Sequence, residues 1–188
     1  FTKPDATIKD DKLWLYFGTG DLQKLQTQSS NVANRLYGIK DKYFPEFQSI
    51  NPPGTVAQCK TGKNSCPGTN DLGWYINLDK SKKVTAEPSV DNNLVYFPVY
   101  EPKPIANICD RGNAILYTTS TICGDATQRK LGTGVLSKVI VQDDILIIGI
   151  SGEAEKGLTS TKDNLILLKS KATGSSGKLT LESWKENN

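Results

Sequence analysis

Asp91-Asn92-Asn93-Leu94-Val95-Tyr96-Phe97-Pro98-Val99-Tyr100 is the stretch on which the fold turns. A short polar turn opens directly into a run of branched and aromatic residues. That is the composition of a strand leaving a tight hairpin, because short Asx side chains tolerate positive φ and bulky flat or branched ones fit a pleated surface. An extended segment at 84–90 leads into the turn. After a looped excursion a second apolar run follows, Asn113-Ala114-Ile115-Leu116-Tyr117-Thr118.

The same order occurs on either side. Upstream, Pro4-Asp5-Ala6-Thr7-Ile8 leads to the turn Asp10-Asp11-Lys12, then Leu13-Trp14-Leu15-Tyr16-Phe17-Gly18-Thr19-Gly20, and later Asn34-Arg35-Leu36-Tyr37-Gly38-Ile39. Downstream, 135–141 leads to Gln142-Asp143-Asp144, then Ile145-Leu146-Ile147-Ile148-Gly149-Ile150, and later Asn164-Leu165-Ile166-Leu167-Leu168-Lys169. A fourth strand is expected to close two copies, at Gly73-Trp74-Tyr75-Ile76-Asn77-Leu78 and at Lys178-Leu179-Thr180-Leu181-Glu182-Ser183-Trp184. Repeats of four antiparallel strands with apolar inner members describe propeller blades. The expectation is all-β: a partial β-propeller of about three blades, roughly 1–78, 84–125 and 131–188, with a β-sandwich as the alternative. Helix is scarce. Residues 21–33 are the best helical candidate, though their Gln/Ser-rich composition suits a surface loop equally. Residues 48–72 read as a Pro/Gly/Asn-rich insertion loop without regular structure.

Composition narrows the function. The 188 residues carry a net charge of +3, with 23% charged and 37% hydrophobic residues, enough to build a core and too mixed in sign for a nucleic-acid stripe. Lys80, Lys82 and Lys83 form the densest basic cluster and read as a solvated turn beside Asp79. No apolar run approaches the ~20 residues that cross a bilayer. The opening Phe1-Thr2-Lys3-Pro4 lacks the pattern of a signal peptide. With no histidine, Ser-His-Asp and Cys-His catalysis and the usual zinc enzymes are excluded. The four cysteines fall as Cys59 with Cys66 and Cys109 with Cys123. Neither spacing is a zinc knuckle, and disulfides are the favoured reading, which implies an oxidising compartment. Three pairings exist. The two local ones are preferred because each closes a short loop, and four free thiols are the competing reading.

Several of these segments together resemble the C-terminal propeller region of the PilY-type proteins of the type IV pilus. The similar segments are Leu15-Tyr16-Phe17-Gly18-Thr19-Gly20 followed by Arg35-Leu36-Tyr37-Gly38-Ile39-Lys40-Asp41; Gly73-Trp74-Tyr75-Ile76-Asn77-Leu78 with Lys83-Val84 and Glu87-Pro88; Cys109, Gly112 and Leu116-Tyr117 before Cys123-Gly124; and the ending Glu182-Ser183-Trp184-Lys185-Glu186. They span most of the chain in order. The resemblance implies a non-enzymatic protein at the cell surface or pilus tip, secreted through the periplasm, that supports pilus assembly, limits retraction and contributes to adhesion and twitching motility. It implies contacts with a pilin or minor pilins, or with the upstream segment of its own parent chain. The family's calcium loop, with acids at alternate positions, is missing: Asp10-Asp11 and Asp143-Asp144 are adjacent, so an extended chain points them apart. Any calcium is expected in an upstream part of the parent.

No catalytic, cofactor or metal residue is identified in the chain. Gly18-Thr19-Gly20 and Gly132-Thr133-Gly134 lack the partners of a nucleotide cradle and read as strand-exit glycines. Ala172-Thr173-Gly174, Gly177-Lys178 and Trp184 resemble the tryptophan-docking signature that ties propeller blades together, a structural device. The shape relation to quinoprotein dehydrogenases supplies one alternative, a dehydrogenase fragment. A periplasmic propeller scaffold for outer-membrane assembly supplies another. Tyr43, Phe44 and Phe47 are candidates either to cap a blade edge or to touch a pilin.

Overall fold

The computed structural model describes residues 1–27, 33–41, 43–46, 57–58, 67, 71–79, 81–104, 110–122, 126–160 and 164–170. The four cysteines, Phe47, Lys80 and the 171–188 segment lie outside the described residues, and with them the expected disulfides, the last strand and the docking signature.

The protein is all-β. Three sheets follow one another along the chain. The first is ordered β1 (Asp5–Lys9), β2 (Lys12–Gly18), β3 (Arg35–Asp41), then β5 (Gly73–Asn77) with β4 (Ala57–Gln58) on its edge. The second contains β6 (Lys83–Val84) and β7 (Ser89–Asp91), both paired to β8 (Leu94–Glu101), then β9 (Asn113–Ser120) and β10 (Thr127–Thr133). The third is β11 (Ile140–Gln142), β12 (Ile145–Gly149) and β14 (Leu165–Lys169), with β13 (Thr159–Ser160) on the free edge of β14. Pairing is antiparallel except where β4 runs parallel to β5.

Each sheet contains a two-residue hairpin at the same place in its repeat. The closing pairs are Lys9 with Lys12, Asp91 with Leu94, and Gln142 with Ile145, so each turn has two residues. Asp10 and Asp11 (φ 50 and 55°) and Asp143 and Asp144 (φ 47 and 63°) are left-handed, as the favoured two-residue hairpin turn requires. Lys12 is therefore the first residue of its strand, not the last of a three-residue turn. That one-residue difference decides which face each side chain occupies.

The sheets pack face to face in series. Trp14, Tyr16, Leu36, Trp74 and Ile76 of the first meet Val95, Phe97, Val99, Ile115 and Tyr117 of the second. The opposite face of the second, with Tyr96, Ala114, Leu116 and Leu131, meets Leu146, Ile148, Ile150, Ile166 and Leu168 of the third. β8 is buried on both faces for this reason. The innermost strands converge: β1 touches β7, and β7 touches β11. Asp5 accepts from the Val90 amide (2.9 Å), and the Ser89 hydroxyl donates to the Val139 carbonyl (2.5 Å). Glu87 bridges Lys3 of the first repeat (3.8 Å) and Lys138 of the third (3.1 Å). The all-β organisation into three sheets packed in series fits both expected architectures, the partial propeller and the sandwich.

Three local readings change. β10 belongs to the second sheet, which runs to Thr133, past the boundary expected at 125. The expected loop at 48–72 contributes β4 at 57–58. In place of a helix over 21–33 there is one 3-10 turn, Leu22–Lys24, capped by the Asp21 carboxylate accepting from the Gln23 amide; 28–32 lie outside the described residues.

Candidate interaction faces

Among the described residues, two sheet faces are not covered by another sheet, and both are apolar. Strand alternation puts Ile8, Leu13, Leu15 and Phe17 on the outer face of the first sheet, with Tyr37, Ile39 and Tyr75 beside them. Their rings form a ladder. Phe1 meets Phe17 edge-on at 5.9 Å, Phe17 stacks on Tyr37 at 5.0 Å, and Tyr37 lies 6.1 Å from Tyr75. Arg35 caps it, 4.6 Å above the Tyr75 ring, with its Nε donating to the Asn77 side-chain oxygen at 2.9 Å. Ile8 is 60% exposed and Leu15 36%.

At the other end, Ile140, Ile145, Ile147, Leu165 and Leu167 share the outer face of the third sheet. Ile140 is 59% exposed and Ile145 44%. Beside the hairpin turn an open groove of about 420 Å³ is lined by Asp143, Asp144, Ile145, Leu167, Leu168 and Lys169. Contiguous apolar surface left in contact with water is a feature of protein contact sites, which makes both faces candidates.

The hairpins show what these faces correspond to. Counted from the closing pair, Leu13, Leu15 and Phe17 occupy the positions of Val95, Phe97 and Val99 and of Leu146, Ile148 and Ile150. In the second and third sheets those positions are covered by the preceding sheet. Ile145 and Ile147 likewise occupy the positions of Leu94 and Tyr96, which the following sheet covers.

The basic cluster differs from its expected solvated state. Lys82 and Lys83 are 4% and 5% exposed. Lys82 Nζ donates to Asp79 (2.8 Å), Tyr117 Oη (3.3 Å) and Gln128 (3.3 Å), and lies 3.5 Å from Glu101. Burial alone would lower its pKa, but the bonds to Asp79 and Tyr117 outweigh that and push it up to about 12. Lys83 Nζ donates to the carbonyls of Leu25, Thr27 and Ser81 at 2.7–3.1 Å and pins the 21–27 segment to the sheet. Both lysines fasten the structure at the junction of the first two repeats.

Gly18 and Gly20 stand where a Cβ would meet Val84, at 2.4 and 2.7 Å, so they let the second repeat approach the strand exit. Tyr43 and Phe44 are half-buried. Among the described residues no helix is long and apolar enough to cross a membrane. Neither end face was singled out residue by residue from the sequence; the signal was the near-uniform apolarity of 13–17 and 145–150. No protein-family model, curated protein or solved structure matches the chain.

Proposed function

We propose that this chain is a non-enzymatic blade module of a type IV pilus surface protein, working through protein–protein contacts made by its two open sheet faces. The observation that carries the contact reading is the pair of exposed apolar faces, one at each end of the stack, in positions that the chain covers everywhere else. The resemblance of the sequence to PilY-type propellers supports the pilus assignment, with pilus assembly, adhesion or twitching motility as the process served and the cell surface or pilus tip as its place. The partners for such faces are pilins, minor pilins, further blades of the parent protein or a second copy of the chain.

Deleting the gene tests the assignment. Surface pili or twitching fall while the major pilin is still made. A deletion strain with normal piliation, motility and adhesion overturns the pilus reading.

A further inference from the structure

Both internal interfaces join the same two kinds of face. One kind, led by Trp14 and Tyr16 in the first sheet and Tyr96 in the second, always looks toward the next sheet along the chain. The other, led by Val95 and Phe97 in the second sheet and Leu146 and Ile148 in the third, always looks back. The faces left over are one of each kind. Leu13, Leu15 and Phe17 look back from the first sheet, and Ile145 and Ile147 look forward from the third. The uncovered pair is thus the pair of kinds that already mates twice within the chain.

We infer that a second copy of this chain fills both faces: the third sheet of each copy packs on the first sheet of the other, and the two copies close a two-fold ring. This rests on the reading of the end faces as contact surfaces. With the three sheets of the described residues from each copy the ring has six, inside the four-to-eight range of closed propellers. Closure matters physically, because a forward-to-back contact is heterologous and stops growing only when the rotation returns on itself. The contact continues the internal series, with branched and aromatic side chains on both sides. The Arg35 guanidinium, held over Tyr75 and bonded to Asn77, sits at the margin of the first-sheet ladder, where its head can stay wet.

Sedimentation equilibrium on the full 188-residue chain tests this, with Leu15→Asp and Ile147→Asp variants checked for folding by circular dichroism and urea unfolding. The wild type has twice the 20.6 kDa chain mass. Each variant alone weakens association by on the order of a hundredfold, because each carboxylate sits in both interfaces of its own dimer. An equimolar mixture of the two variants recovers a dimer, since one of its two interfaces then carries no substitution. A wild type that stays monomeric at all concentrations overturns the inference. So do a filament of growing mass, or a dimer broken by Leu15→Asp alone and untouched by Ile147→Asp. A monomer from a strain that loses its pili on deletion removes the self-association and leaves the pilus reading standing.

Discussion

Lys82 shows how a single charge joins two repeats. Its ammonium meets Asp79 from the first repeat's exit and Glu101, Tyr117 and Gln128 from the second sheet. The side chain is almost fully enclosed, while Asp79 stays largely in water. Replacing it, Lys82→Met, removes the donor and leaves the carboxylates partly solvated, so the expected loss is about 1–2 kcal/mol in urea unfolding. The pH dependence has a definite sign. The folded pKa, about 12, lies above the ordinary 10.5, so the stabilisation is complete below 10.5 and disappears as the pH rises through 12. The stability gap between wild type and Lys82→Met is therefore constant from neutral pH to about 10 and narrows above it; a gap that widens with alkali contradicts the assignment. Tyr16 acts in the same direction, since burial raises its pKa and ionisation opposes folding. The sequence hid this site. Asp79 is adjacent, but Glu101, Tyr117 and Gln128 are distant along the chain, and nothing local says that a lysine pair faces inward.

The hairpins and the sheet interface are the elements that set every face. Asp11 and Asp144 are second residues of two-residue turns with φ of 55 and 63°. Asp11→Gly and Asp144→Gly remove the left-handed cost at each turn and raise stability by up to about 1 kcal/mol apiece, read as a higher melting temperature. A fall in melting temperature argues against these turn geometries. Gly38 sits under Trp74, where a Cβ would approach the indole to 2.4 Å. That indole is fully buried and donates to the Thr121 carbonyl across the interface at 2.9 Å. Gly38→Ala displaces it, and denaturant unfolding is expected to show a loss of about 1–3 kcal/mol. Strands and turns were legible at this scale because composition and the Asx punctuation repeat three times. The register was not. Reading Asp10-Asp11-Lys12 as a three-residue turn slips the first copy by one position and exchanges its two faces. β10 escaped because Thr127-Gln128-Arg129-Lys130 is polar, as suits a strand exposed over those residues.

At the scale of the whole molecule, the described residues cover the middle sheet on both sides and each end sheet on one. The all-β organisation into three repeats was visible in the sequence, and the near-uniform apolarity of 13–17 and 145–150 already suits strands with both faces apolar. The chemistry of the end faces was not visible: the Phe17–Tyr37–Tyr75 ladder needs the cross-strand register that brings residues from three strands side by side. The expected disulfides remain a sequence proposal, since Cys59, Cys66, Cys109 and Cys123 lie outside the described residues. The central claim is that the end faces do the protein's work. Its most direct test is the piliation of a deletion strain complemented with face variants. Strains carrying Leu15→Asp or Ile147→Asp, with the protein accumulating to wild-type levels, are expected to stay deficient in surface pili. A substitution on an exposed loop, Lys156→Ala, restores them. Full piliation with both face variants would contradict the account.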